Sequence, residues 1–416
     1  MSHATAPVKK REILGWCCFD FANSAFTTVI ITVVYAVYFQ NVVANGGRSA
    51  PAWWGGALAA SQLVVILISP WIGAMADVRA NKKSWLMITA MMCSLATASL
   101  YGAGPGDIGL ALTLVVVANI AFALSENLCA GFLPEISTPA TAGRISSYGW
   151  SFGYFGGLAS LLLALGVIKS GAGRVPWTFV MTGGFFLLAS LPTLILLGER
   201  AQPKVLPTGQ SLMAAAWASN WRLLHELPRH RTLAIFFVAL TFFTAGLVSV
   251  VAFASVYASE VLQMHQEEII VLFVVLQVAG VVGAFGFGFL HDRAGAKPAL
   301  VISLALWIIV CLWAAFCQTK IEFYLIGVLA GIGMGSLQSA GRAVVSALTP
   351  PERSGEFFGF WGFFTKLAGV IGQPIFGGMA AVFGFRVAIL SNTVFFVIGL
   401  LILLRMGRID QGAPAN

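Results

Sequence analysis

Gly73-Ala-Met-Ala-Asp77-Val-Arg79-Ala-Asn-Lys82-Lys83 closes one apolar stretch of this chain, and Gly288-Phe-Leu-His-Asp292-Arg293-Ala-Gly295-Ala-Lys297 closes another. Both carry Gly-x-x-x-Asp followed by basic residues, and Gly288 stands 215 residues after Gly73. So short a match gains its force from position. Each copy ends the second long apolar stretch of its own half of the chain. Self-similarity of this kind marks an internal repeat, so the chain reads as one plan used twice.

The composition says what the plan is made of. Of 416 residues, 58% are hydrophobic and only 10% charged, against about 25% charged in a soluble domain. A membrane span needs about 20 apolar residues. Twelve stretches qualify: 17–43, 54–76, 84–104, 108–133, 148–168, 177–198, 232–258, 268–290, 299–318, 322–346, 357–381 and 385–405. The expected fold is an all-α membrane protein with twelve transmembrane helices in two pseudo-symmetric six-helix bundles. The longest polar connection, 199–231, separates a first half, 1–198, from a second, 232–416. Within it Met213, Trp217, Trp221 and Leu224 recur at helical spacing, with Asn220, Arg222 and Glu226 on other faces. That pattern predicts an amphipathic helix on the membrane surface.

The net charge of +8 does not call for nucleic acid. With both termini inside, the inner segments hold 17 of the 24 Lys and Arg and the outer loops five. This asymmetry orients membrane proteins with the basic loops in the cytoplasm, and the expected location is a bacterial inner (cytoplasmic) membrane. The first residues, MSHATAPVKKRE, lack a cleavable signal pattern. Six cysteines in or beside apolar stretches show no metal spacing and no disulfide framework. No cofactor is implied. There is no P-loop, no Gly-x-Ser-x-Gly and no His-Glu-x-x-His. Enzymatic chemistry and ATP-driven transport are therefore not expected.

Asp20, Glu126, Arg342 and Lys366 fall inside apolar stretches. A charge in the hydrocarbon core costs roughly 3 kcal/mol or more, so such residues face a water-filled path or each other. Asp20 binds a substrate amine or carries a proton, or else serves as a packing or gate element. Arg342 grips a carboxylate in bidentate fashion, or neutralises Asp20 or Glu126. Glu126, beside Asn127, relays protons or is a hydrogen-bonded carboxylate near a helix end. Lys366 belongs to the path or snorkels to the surface. Asn23 and Gln338 share helices with Asp20 and Arg342 and join them as candidates. Gln277 and Gln373 are further polar residues within spans, and any of these four amides also suits interhelical bonding. Trp53, Trp54, Trp85, Trp177 and Tyr324 fall at span ends, as an interfacial belt requires.

Twelve spans, two halves and the doubled loop resemble the major facilitator superfamily. The resemblance implies a gating role for the loops, through Gly73, Asp77 and Arg79 in the first copy and Gly288, Asp292, Arg293 and Lys297 in the second. The first copy departs from the pattern, with Val78 where Arg is usual and Ala80 where Gly is usual. A narrower likeness covers most of the chain. Phe19-Asp20-Phe21-Ala22-Asn23-Ser24-Ala25-Phe26, Gly143-Arg144 through Gly156-Gly157, and Gly335-Ser-Leu-Gln338-Ser339-Ala-Gly-Arg342 resemble signatures of one branch. That branch holds the yeast vacuolar amino-acid effluxer linked to autophagy and its bacterial relatives. Where the branch often carries Asp-Gly in span 7, this chain reads Thr244-Ala245-Gly246.

The resemblance implies a secondary transporter working by alternating access. Its cargo would be a small polar solute, an amino acid or similar zwitterion, with protons as one candidate coupling ion. Partners are that solute and the lipid bilayer, and a monomer suffices because one chain holds both halves. Competing readings are a proton-coupled efflux pump for amphiphilic compounds, a lipid translocase and a non-transporting membrane sensor on the same fold.

Overall fold

A computed structural model of the chain describes residues 8–79, 81–137, 142–171, 173–199, 231–294, 296–348 and 354–406. Within lipid every backbone N–H and C=O must be satisfied inside its own segment, which favours helices. Among the described residues, twelve helices are long and apolar enough to cross a membrane. They are α1 Lys10–Val43, α2 Ala50–Arg79, α3 Lys82–Ser99, α4 Ile108–Ala130, α5 Ala142–Lys169 and α6 Trp177–Leu196, then α7 Arg231–Leu262, α8 Gln266–Ala294, α9 Ala296–Phe316, α10 Lys320–Leu348, α11 Ser354–Phe383 and α12 Phe385–Arg405. All twelve expected spans have their helix. The apolar run expected to reach residue 133 stops earlier, because α4 ends at Ala130 and a separate turn forms at Leu133–Ile136. The amphipathic helix expected within 199–231 lies outside the described residues, apart from Glu199 and Arg231.

Chain packing falls into two compact units. One takes α1 as far as Ile31 and resumes at Val64 in α2. In it α1 packs on α5 and α6, while α3 packs on α4 and α6. The other takes Thr32–Leu63 together with α7 to α12. In it α7 packs on α11 and α12, while α9 packs on α10 and α12. The same pairs thus recur six helices later, as an internal repeat requires. Ring contacts fill both cores: Phe19 meets Phe186 edge-on at 5.8 Å between α1 and α6. Trp307 stacks on Phe396 at 5.4 Å between α9 and α12.

Side chains repeat the scheme. Lys83, at the start of α3, donates through Nζ to the Leu197 carbonyl just past α6, at 2.9 Å. Lys297, at the start of α9, donates to the Leu404 carbonyl at 3.4 Å and to the Met406 carbonyl at the end of α12. A lysine at a helix C-terminus satisfies orphan carbonyls and complements the helix dipole.

The first helix is irregular. Residues 27–34, Thr-Thr-Val-Ile-Ile-Thr-Val-Val, are all β-branched. Such side chains crowd the preceding turn of an α-helix. From Phe26 to Val33 the helix widens into π-type turns, it bends at Val34, and it widens again over Phe39–Val43. The change of unit at Ile31 falls inside this widened stretch.

Candidate functional site

Asp20 lies on α1, half-buried, with no other charged residue between Glu12 and Arg48. Its surroundings are built from α1, α4 and α5. One turn earlier, Trp16 donates its indole N–H to the Cys129 carbonyl of α4 at 2.8 Å. One turn later, the Ser24 hydroxyl donates to the Asp20 carbonyl at 2.8 Å. Three glycines of α5 form the facing track. A Cβ on Gly149 would collide with the Asp20 carboxylate and would stand 2.7 Å from the Trp16 ring. A Cβ on Gly153 would stand 2.9 Å from Ser24 Oγ, and one on Gly156 would strike the Phe21 carbonyl. Glycine spacing in the sequence 143–157 thus serves to bring α5 onto the Asp20 face of α1. Asn23 is buried on the same helix, at 6% exposure.

Glu126 is half-buried near the end of α4. Asp20 on α1 and Glu126 on α4 both lie within electrostatic reach of Cys129. Beside them, Asn127 donates through Nδ2 to Ser69 Oγ of α2 at 2.9 Å. Two acidic groups on helices of one unit suit a cationic group of a solute.

Around the start of α3, charges bind it to the segments that follow α4 and α6. Lys82 pairs with Glu135 at 2.8 Å, both largely buried. The Glu199 carboxylate accepts from the backbone N–H of Lys82 at 3.2 Å and of Lys83 at 2.9 Å. It caps the start of α3, where a negative group meets the positive helix end. Gly73, Asp77 and Arg79 sit on the last turns of α2 and Gly288, Asp292 and Arg293 on those of α8. Their surroundings lie outside the described residues.

In the second unit, Gln338 is half-buried on α10, and its buried Oε1 has no hydrogen-bond partner among the described residues. Arg342 follows one turn later on α10, with its side chain outside the described residues. Lys366 is half-buried on α11, and Gln373 lies two turns beyond it on the same helix. Gln277 is half-buried on α8. The structure therefore places Asp20 and Glu126 in one unit and Gln338, Lys366 and Gln373 in the other.

Several polar groups escaped the sequence reading. The Ser255 hydroxyl of α7 donates to the Thr32 carbonyl, and Gln266 of α8 donates to the Val33 carbonyl at 3.0 Å. Both carbonyls belong to the widened part of α1. Asn41 donates to Ser259 Oγ at 2.9 Å. Gln62 of α2 also went unremarked, although a glutamine in an apolar run is a visible signal. Trp54, expected in an interfacial belt, is instead 2% exposed and packs on Phe39 at 5.5 Å and Tyr35 at 6.1 Å. Trp53 and Trp177 are exposed, as a belt requires.

Residues 57–413 match the family described as vacuole effluxer Atg22 like. A Bacillus subtilis (strain 168) protein described as an uncharacterized MFS-type transporter, YxiO, is 25% identical over 405 residues, which is 94% of this chain and 93% of that protein. Autophagy-related protein 22-1 of Penicillium rubens is 23% identical over 265 residues, covering 58% of this chain. That match spans 45% of the fungal protein, under half its length. Among solved structures, a D-xylose-proton symporter superposes with a TM-score of 0.76 at 16% identity, covering 97% of this chain and 99% of that one. A bacterial homolog of the human lysosomal transporter Spinster, in an inward-facing and unoccupied conformation, gives 0.73 at 15% identity, covering 98% and 100%. At these identities the two structures show the fold.

Proposed function

The chain belongs to the Atg22-like family of vacuole effluxers and is a secondary transporter of the major facilitator type, and on that premise we propose that it carries a small zwitterion of the amino-acid kind. The observation that carries this reading is Asp20. It is the one charged residue between Glu12 and Arg48, half-buried, held against a glycine track that leaves room for nothing larger. A carboxylate kept at such cost suits the ammonium end of a solute. Arg342, in the apolar run of α10, suits the carboxylate end through its planar fork. Glu126, half-buried on α4 of the same unit, is the candidate proton relay. Asn23, Gln338 and Lys366 complete the candidate lining. The halves 1–198 and 232–416, joined by 199–231, would alternate access. The termini and the doubled loops would face the cytoplasm of a bacterial cell, as the Lys and Arg bias requires.

The test is counterflow in proteoliposomes loaded with a mixed amino-acid pool, with and without an inward proton gradient. Accumulation of a labelled amino acid supports the cargo, and stimulation by the gradient supports coupling through Glu126. Arg342→Gln should abolish accumulation in folded protein. Wild-type accumulation by that variant removes Arg342 from the site. No accumulation of any amino acid by the wild type rejects the zwitterion, and scrambling of labelled lipid in the same vesicles would put a lipid in its place.

A further inference from the structure

α2 and α11 meet, within one compact unit, along a line of close backbone approaches. A Cβ on Gly377 would strike the Pro51 carbonyl, and one on Gly55 would strike the Gln373 carbonyl. One step further along the line, at Gly369, the neighbours change from backbone to side chain. A Cβ there would stand 3.3 Å from Gln62 Cγ and 3.5 Å from Gln373 Oε1. Two carboxamides, one from each helix, flank a single glycine.

The position is deep. Gln62 is 12 residues past the start of α2 and Gln373 is 10 residues before the end of α11. At 1.5 Å per residue these are depths of about 18 Å and about 15 Å, midway through a hydrocarbon core of about 30 Å. Among the described residues neither Gln62 Oε1 nor Gln373 Oε1, both buried, has a hydrogen-bond partner, and Gln373 is 6% exposed. A buried amide oxygen left unpaired costs about 1–3 kcal/mol. Some polar residues that join helices here do find partners, although Asn392 Oδ1, Ser94 Oγ and Thr393 Oγ1 are also buried without one among the described residues. Asn392 donates to the Gly246 carbonyl between α12 and α7 at 3.0 Å, and Ser303 bonds Ser336 between α9 and α10 at 2.7 Å. Among the described residues Gln62 and Gln373 make no such bond, although tight packing holds their helices together.

We propose that Gln62 and Gln373 contact the transported solute, and that they accept a neutral hydrogen-bond donor on it, a hydroxyl or a carboxamide N–H. The proposal rests on the transporter reading and narrows the cargo. Among small zwitterions it favours those with a polar side chain over aliphatic ones of equal size. A site built to bond a hydroxyl discriminates strongly against the analogue that lacks it, because its own buried polar groups are then left unpaired.

Threonine and valine are the matched probes, equal in shape and different in one hydroxyl. Wild-type protein should be inhibited by threonine at about one tenth of the concentration needed for valine, or less, in counterflow. Gln62→Leu and Gln373→Leu should each bring the two inhibitors close together. Retention of the preference in both variants overturns the proposal, as does a wild type that treats threonine and valine alike. A second measurement is independent of cargo. Gln62→Cys and Gln373→Cys, in folded protein with its native cysteines, are exposed to an anionic methanethiosulfonate and read by peptide mass spectrometry. Solute-contacting positions take up the reagent. Absence of adduct at both positions overturns the proposal whatever the transport result. If the wild type carries neither amino acid but both thiols react, the zwitterion reading falls and the glutamine pair stands.

Discussion

A methyl group at position 149 has nowhere to go. It would meet the Asp20 carboxylate and the Trp16 ring, both held in place by their own packing. Overpacking of this kind costs about 1–3 kcal/mol. Gly149→Ala should therefore lower the thermal midpoint of the protein in detergent and impair transport. Gly166, on the same helix, has nothing within reach of an added Cβ. There the ordinary preference of helices for alanine, about 1 kcal/mol, should hold or raise the midpoint. Equal behaviour of the two variants would contradict the close α1–α5 approach. Cys317 offers a second check at this scale. Burial, with Glu322 beside it, pushes its thiol up to about 11. The thiolate is the reactive form, so alkylation of Cys317 by iodoacetamide should be slow at neutral pH and keep rising past pH 10. A plateau near pH 8 would mean the thiol is exposed. Asp20 stood out in the sequence because a charge in an apolar run is a local signal, whereas the glycines of α5 entered only as part of a family signature and their close approach to α1 needed the fold. Lys82–Glu135 was not, since its partners are 53 residues apart and only the fold brings them together.

Among the elements, α1 shows how a local property becomes a tertiary one. Its β-branched run was in plain view, but periodicity alone marks only an apolar helix. What the run does depends on neighbours able to take up the carbonyls of a widened turn. Ser255 and Gln266 supply that, at the Thr32 and Val33 carbonyls. Each such bond contributes about 0.5–1.5 kcal/mol net. Ser255→Ala and Gln266→Leu should each loosen this part of α1. Hydrogen exchange of the backbone over 26–43 should then quicken, while exchange in α9 and α12 stays as in the wild type. An unchanged rate over 26–43 in both variants would show that the widened turns hold themselves. The twelve helices themselves were legible, with boundaries shifted by a few residues, because length and apolarity are enough to define a span.

Across the whole molecule, the repeat announced by the doubled loops extends to side-chain contacts that no pattern of letters displays. Lys83 and Lys297 cap the last helix of their respective halves. Lys83→Met and Lys297→Met should each cost about 1 kcal/mol. Because the two sites share no partner, the costs should add in the double variant. Unfolding in detergent, followed by tryptophan fluorescence, measures both. A double variant no less stable than either single one would mean the two caps are not independent supports.

The division of packing at Ile31 and at Leu63 bears on how such a protein can be recombined. A chimera joined at the 199–231 connection would respect the repeat in the sequence but would cut across the contacts of α1 and α2. Their segments from Thr32 to Leu63 would then confront foreign versions of α7 and α11. Grafts that also exchange residues 32–63, and so keep Gly55 with Gln373 and Thr32 with Ser255, carry their partners with them. Inheritance in this fold follows the order of the helices, but compatibility follows a seam that runs through the middle of two of them.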